Sequence, residues 1–289
     1  MNHSMHHEYC VIGHPIGHTL SPDIHARVFQ LLRRPLSYRA VDVPPGRMDL
    51  FIAESRSGGR PGFNVTVPHK EAIIPFLDEI DDLARNVGAV NTVQVREGRL
   101  TGYNTDVFGC RIALEKAGWT ERRKVALLGC GGAARAAVEA VARLGAEEVV
   151  LFDVLPEKAA DLQSDFQKKH AMIISSGSVD PQSMARHFTD IDLLINATPV
   201  GMWPHTDQSP VPEASLIPAG ITVLDMVYKP KETLLVKQAL SRNARVAPGL
   251  MMLVAQAIAA DEIWLEESLV DRFLDPVFNH IQSMVENHD

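Results

Sequence analysis

Along residues 62–70, apolar Phe63, Val65 and Val67 alternate with polar Asn64 and Thr66. This period of two predicts a strand with its apolar side chains on one face and its amide and hydroxyl on the other. Pro68 stops the ladder and Lys70 follows, so one strand end carries an amide, a hydroxyl and a cation. Upstream, residues 9–12 form an apolar run that breaks at Gly13, Pro15, Gly17 and Pro22, the composition of a loop. Ser21 before Pro22 reads as an N-cap with proline at the first helical position. It opens a helix to about Leu32 whose apolar face is Ile24, Val28, Leu31 and Leu32. A strand near 38–43, a helix near 47–55, the strand at 62–67 and a helix over 69–77 follow. This alternation predicts a sheet of parallel strands covered by helices. A helix over 80–87 then leads to two short strands around Glu97-Gly98, a hairpin with Asn91 and Asp106 at its two ends.

A helix over 107–118 leads out of this region. Residues 124–128 read as a buried strand, and Gly129-Cys130-Gly131-Gly132-Ala133-Ala134 follows directly with G-x-G-x-x-A spacing. The glycines allow a tight turn and close approach of a pyrophosphate to the amides opening the next helix, over 133–144. A strand over 148–152 comes next and ends at Asp153, 21 residues after Gly132. An acidic residue there accepts hydrogen bonds from both ribose hydroxyls of NAD and repels the extra phosphate of NADP. Val154 and Leu155 offer that phosphate nothing, so NAD is expected, with NADP as the alternative. Further strands are expected near 172–174, 193–196 and 223–226, with helices between them. The loop over 196–202, with Thr198, Gly201 and Met202, is placed to line the nicotinamide side. Pro248-Gly249 opens a strongly apolar helix, and Pro276 should kink or divide the last helical segment, over 269–285.

Composition narrows the class. A chain of 289 residues exceeds the usual single-domain size, so two domains are expected. A formal charge of -8 argues against a nucleic-acid partner, and an anionic substrate must be held by local groups. Cys10, Cys110 and Cys130 are few and scattered, which suggests reduced thiols and neither a disulfide framework nor a zinc site. His3, His6 and His7 read as a terminal tail, and no metal is expected. The apolar run over 250–260 is too short to cross a bilayer, and no basic region followed by an apolar core opens the chain. A cytoplasmic protein without a membrane partner is expected.

Several stretches together carry a resemblance. They are Gly13-His14-Pro15-Ile16-Gly17-His18-Thr19-Leu20-Ser21-Pro22, Asn64-Val65-Thr66-Val67-Pro68-His69-Lys70, Gly88-Ala89-Val90-Asn91-Thr92 and Asn104-Thr105-Asp106. The glycine turn, Asn196 to Met202, Asp225 to Pro230 and Pro248 to Gln256 continue the series. In this order they resemble the shikimate dehydrogenase family, which includes the quinate/shikimate dehydrogenases. The resemblance implies an α/β protein of two domains: an N-terminal substrate domain over 1–106, a Rossmann dinucleotide domain over 107–247, and C-terminal helices over 248–289 returning to the first. It assigns Thr19, Ser21 and Tyr228 to the carboxylate of a small hydroxy-carboxylate substrate. Asn64, Thr66, Asn91, Asp106 and Gln256 fall to its ring hydroxyls, and Lys70 with Asp106 to catalysis. Gly129, Gly131, Gly132, Ala133, Asp153, Thr198, Gly201, Met202 and Gly249 are assigned to the cofactor. A monomer or homodimer is implied.

Three positions depart from the family. Thr19 stands where serine is usual, Val107 follows Asp106 where glycine is common, and Asp153-Val154-Leu155 replaces the Asn-Arg-Thr phosphate clamp of the biosynthetic enzymes. The last departure favours NAD and resembles the quinate/shikimate branch. Shikimate is the first substrate expected, with quinate or an aminoshikimate as the alternative. A catalytically silent nucleotide sensor would not need both Lys70 and Asp106. A dehydrogenase of the methylene-tetrahydrofolate type fits Thr19, Ser21 and Tyr228 poorly.

Overall fold

A computed structural model describes residues 8–17 and 19–286. The tail histidines His3, His6 and His7 lie outside them. The chain divides into two compact units, residues 1–106 with 254–281 and residues 107–253 with 282–289.

The first unit contains β1 (Glu8–Gly13), α1 (Ser21–Leu32), β2 (Ser37–Asp42), α2 (Met48–Glu54), β3 (Gly62–Val65), β4 (Glu79–Ile80), α3 (Asp82–Val87), β5 (Thr92–Arg96) and β6 (Arg99–Tyr103). Its sheet has the order β2-β1-β3-β5-β6-β4. β1 pairs parallel with β2 and β3, whereas β5 is antiparallel to both β3 and β6. The sheet is therefore mixed: β1, β2 and β3 are parallel and β5–β6 is a hairpin, as expected, and the pairing of β5 antiparallel to β3 was not expected. The two-residue turn of the β5–β6 hairpin, with φ of 51° at Glu97 and 75° at Gly98, reverses the chain within the sheet.

Two local expectations also change. Residues 69–77 form turns ending in a 3-10 segment, Ile74–Phe76, and not an α-helix. One helical bond forms, from the Ile73 amide to the His69 carbonyl, and the next bonds shorten to i+3. Pro75 has no amide to extend the ladder. Ser21 is the first residue of α1 and not its cap, which is Leu20. The Thr19 hydroxyl accepts the Ser21 amide and donates to the Ser21 hydroxyl, so capping passes to Thr19.

The second unit holds most of α4 (Asp106–Lys116), then β7 (Lys124–Leu128), α5 (Gly132–Leu144), β8 (Glu148–Phe152), α6 (Pro156–Gln167), β9 (Ile173–Gly177), α7 (Pro181–His187), β10 (Leu193–Asn196), β11 (Thr222–Asp225), α8 (Leu234–Ser241) and β12 (Arg245–Pro248). All six strands are parallel in the order β12-β11-β10-β7-β8-β9, the doubly wound arrangement of a Rossmann fold. The interiors of β7, β8, β10 and β11 are buried apolar runs because helices cover both faces of such a sheet, whereas the edge strands β9 and β12 are partly exposed. The strand β12 was not expected. Two long helices complete the chain, α9 (Gly249–Leu265) and α10 (Val270–Glu286). Pro276 leaves α10 undivided: Leu274, Val277, Ile281 and Val285 recur at helical spacing and are buried, and that packing offsets the missing bond.

Inside the first unit, His25 of α1 and Asp261 of α9 are both fully buried, with 2.8 Å between Nδ1 and Oδ1. Desolvation raises the Asp261 carboxyl above its ordinary value of 3.8, against the lowering attraction of His25. A folded state that holds this proton more tightly than the unfolded chain gains stability that is complete below the ordinary value and is lost as pH rises through the raised one. Asp261→Asn keeps an acceptor for the imidazole without the charge. As pH rises above about 4, denaturation midpoints of this variant should fall less than those of the parent. Parallel curves for the two proteins would contradict the assignment.

Candidate active site

In the first unit one hydrogen-bonded network gathers the polar positions. Lys70 Nζ donates to Asp106 Oδ2 at 2.6 Å, with side chains 13% and 7% exposed. Asn91 Nδ2 lies 2.9 Å from Asp106 Oδ1, 2.9 Å from Thr105 Oγ1 and 3.1 Å from Gln256 Oε1. Asn91 Oδ1 accepts the Thr105 amide at 2.7 Å and the Thr92 hydroxyl at 3.1 Å. Asn64 Nδ2 donates to the Asn91 carbonyl at 3.1 Å and to Thr92 Oγ1 at 3.0 Å. The fold explains the convergence. Register pairs Asn64 of β3 with Thr92 of β5 and Thr92 with Tyr103 of β6, so the ends of three strands meet where α4 starts at Asp106.

Thr19 and Ser21 share their hydroxyl bond at the start of α1, whose first amides favour an anion. Thr66 follows β3 and is half-buried, its amide donating to Ile12 at 2.8 Å. A Cβ on Gly13 would stand 2.6 Å from Thr66 Cγ2, so glycine there lets the loop after β1 close on Thr66. Tyr228 lies in the second unit, in the loop after β11. Sequence reasoning missed Thr92, Thr105 and Tyr38, whose hydroxyl donates to Asn64 Oδ1 at 2.6 Å.

In the second unit Gly129 follows β7 with φ of +89°, and a Cβ on it would meet Thr198 Cγ2 at 2.9 Å. Left-handed backbone and the close approach of the β10 loop both require glycine. Gly131 differs: its φ is -85° and a Cβ would meet nothing within 4 Å. Nothing in the protein demands glycine there. It caps the 13-residue α5 with no side-chain bond, so the first amides of the helix have no intrahelical acceptor. This is the fit expected of a pyrophosphate seat. The Asp153 carboxylate accepts the Cys130 amide at 2.8 Å and the Leu155 amide at 2.9 Å, so it is pinned beside the glycine turn. It does not cap α6, whose cap residue is Leu155. Thr198 bonds Asn196 Oδ1, Gly201 has φ of +89°, and Met202 is 46% exposed. Gly249 packs on the backbone of Asp225 and Met226.

Among the described residues no group of three or more His, Cys, Asp or Glu could hold a metal ion. No helix among them is long and apolar enough to cross a membrane. The three cysteines are free and buried.

Residues 11–93 match the family model of the shikimate dehydrogenase substrate-binding domain. The chain is 39% identical over 254 residues to a shikimate dehydrogenase (NADP(+)) of Methanothermobacter thermautotrophicus, covering 88% of this chain and 89% of that protein. A crystal structure of shikimate 5-dehydrogenase from Listeria monocytogenes in complex with shikimate and NAD superposes with a TM-score of 0.87 at 29% identity, covering 96% of this chain and 97% of that one. The shikimate 5-dehydrogenase of Thermus thermophilus, in complex with NADP(H) and shikimate, gives a TM-score of 0.83 at 32% identity, covering 95% and 99%. With its mixed first sheet, its Rossmann sheet and this similarity over nearly the whole chain, the protein belongs to the shikimate dehydrogenase family.

Proposed function

We propose that this protein catalyses the reversible oxidation of shikimate to 3-dehydroshikimate with a nicotinamide dinucleotide, and that it prefers NAD to NADP. The observation that carries the reaction is the Lys70–Asp106 ion pair, with Asn91 donating to Asp106 and to Gln256 beside it. When bound, the nicotinamide exchanges a hydride with the ring carbon bearing the reacting oxygen. Lys70, as an ammonium, stabilises the negative charge that develops on that oxygen during ketone reduction and delivers its proton; in the other direction it takes the proton back. Asp106 holds Nζ in place through Oδ2 while Asn91 fixes Oδ1, so the carboxylate cannot rotate away from the lysine. Thr19, Ser21 and Tyr228 hold the substrate carboxylate, and Asn64, Thr66, Asn91, Asp106 and Gln256 its hydroxyls. The unit of residues 1–106 with 254–281 serves the substrate, and the unit that holds 107–253 serves the dinucleotide.

The cofactor preference rests on Asp153. Its two oxygens are fixed by backbone amides yet keep lone pairs for ribose hydroxyls, and a 2′-phosphate would meet a like charge. The following Val154 and Leu155 are exposed and apolar. Assays with shikimate and quinate, each with NAD and NADP, test both parts. The value of kcat/KM should favour NAD by about tenfold or more, and Asp153→Ser should shrink that ratio. Higher kcat/KM with NADP would refute the preference. Turnover of quinate alone would refute the substrate.

A further inference from the structure

We infer that Tyr38 is a positioning residue that holds Asn64 Oδ1 in place as a hydrogen-bond acceptor toward the substrate, so that the ring substituent facing it must be a donor. The inference rests on the reading of Asn64 as a substrate-binding residue.

The amide orientation of Asn64 is dictated by its surroundings. The Asn91 carbonyl accepts only, and it already accepts the Val65 amide at 2.8 Å. Asn64 Nδ2 must therefore face it, and that side also reaches Thr92 Oγ1, which uses both amide hydrogens. Oδ1 is left on the side of Tyr38, whose hydroxyl must then be the donor of the 2.6 Å bond. Burial raises the phenol well above 10, so the proton it donates stays on it. One lone pair of Asn64 Oδ1 remains. A hydroxyl or ammonium can use it, whereas a carbonyl or ether oxygen would face it lone pair to lone pair.

The phenol is itself held. Its ring stacks on the His25 imidazole, centroids 3.9 Å apart and planes 14° apart, and His25 is tied to Asp261 on the helix that also carries Gln256. The hydroxyl thus reaches Asn64 from a ring clamped by two helices, and not from a mobile loop.

The test is a double-mutant cycle on shikimate affinity, read by calorimetry and by KM. Tyr38→Phe keeps the stacked ring and removes only the donor, leaving Asn64 with the two bonds of its Nδ2 and none that holds Oδ1 in place. Affinity should fall roughly five- to tenfold while kcat changes less than about threefold. In an Asn64→Ala background the same substitution should have no further effect, because Tyr38 acts through Asn64. An equal loss in both backgrounds, or unchanged affinity in the single variant, would overturn the inference. Melting temperature and NAD affinity, the latter set by the other unit, serve as folding controls. Shikimate binding without turnover would remove the proposed activity and leave the cycle readable. Absence of binding by the parent would remove both.

Discussion

Replacing Lys70 by methionine is expected to lower kcat by about a thousandfold while changing KM for shikimate less than about fivefold. Methionine keeps the length and apolar stem of lysine and removes the ammonium, so the reacting oxygen loses both its proton partner and its charge stabilisation. Those interactions strengthen as charge develops and contribute little before then, which is why kcat should carry the loss. The substitution has a second cost. Asp106, 7% exposed, would lose its cation and keep the Asn91 amide on Oδ1, and a buried carboxylate without its cation destabilises the fold. Asp106→Asn separates the two effects, since it leaves the side-chain shape and removes the pairing charge. Steady-state kinetics beside thermal melting make the distinction. A kcat within twofold of the parent in a folded Lys70→Met protein would take Lys70 out of the chemistry.

The sequence pattern discloses the second sheet more readily than the first. In a parallel sheet covered on both faces every strand interior is apolar, so runs such as Val125 to Leu128 and Val149 to Phe152 identify themselves. The short strand β12 escapes because Arg245, Val246, Ala247 and Pro248 hold one fully buried side chain among them, at the sheet edge. In the first sheet the Glu97-Gly98 turn is legible, but the direction of β5 against β3 is not, since pairing depends on residues about 30 apart. The misread helix over 69–77 has a similar origin: helical spacing of apolar residues says nothing of the donor that Pro75 lacks.

The candidate site divides along the same line. Lys70, Asn91 and Asp106 stand out as polar groups at the ends of recognisable elements, whereas Gln256, inside α9, is picked out by the family resemblance. Thr92 and Thr105 look like ordinary strand and turn residues, and their hydroxyls acquire meaning only because Asn91 contacts both, and Gln256 from 165 positions away. Tyr38 is hidden for the same reason: its partner Asn64 lies on a strand two places across the sheet. Local pattern finds groups that can do chemistry, whereas the groups that orient them are found through long-range pairing.

Two glycines assigned to the cofactor should separate when each becomes alanine. A Cβ on Gly249 would stand 2.3 Å from the Asp225 carbonyl oxygen and 2.9 Å and 3.0 Å from Met226 backbone atoms. None of these is the tip of a flexible side chain. Asp225 cannot yield either: β11 is paired on both sides, and the buried Asp225 carboxylate accepts Thr233 Oγ1 at 2.5 Å, Asn196 Nδ2 at 2.9 Å and the Val227 amide at 3.1 Å. Gly249→Ala must therefore displace the first turn of α9, at a cost of about 3 kcal/mol or roughly 6–12 °C in melting temperature. Gly131→Ala faces open space at an ordinary φ, so it should melt within about 2 °C of the parent. Its new methyl would instead occupy the approach to the α5 amides, and affinity for NAD should fall about tenfold or more. Calorimetric melting and NAD titration of the two variants distinguish these effects. A stable Gly249→Ala protein would show that α9 can shift against β11, and unchanged NAD affinity in Gly131→Ala would remove the pyrophosphate from the start of α5.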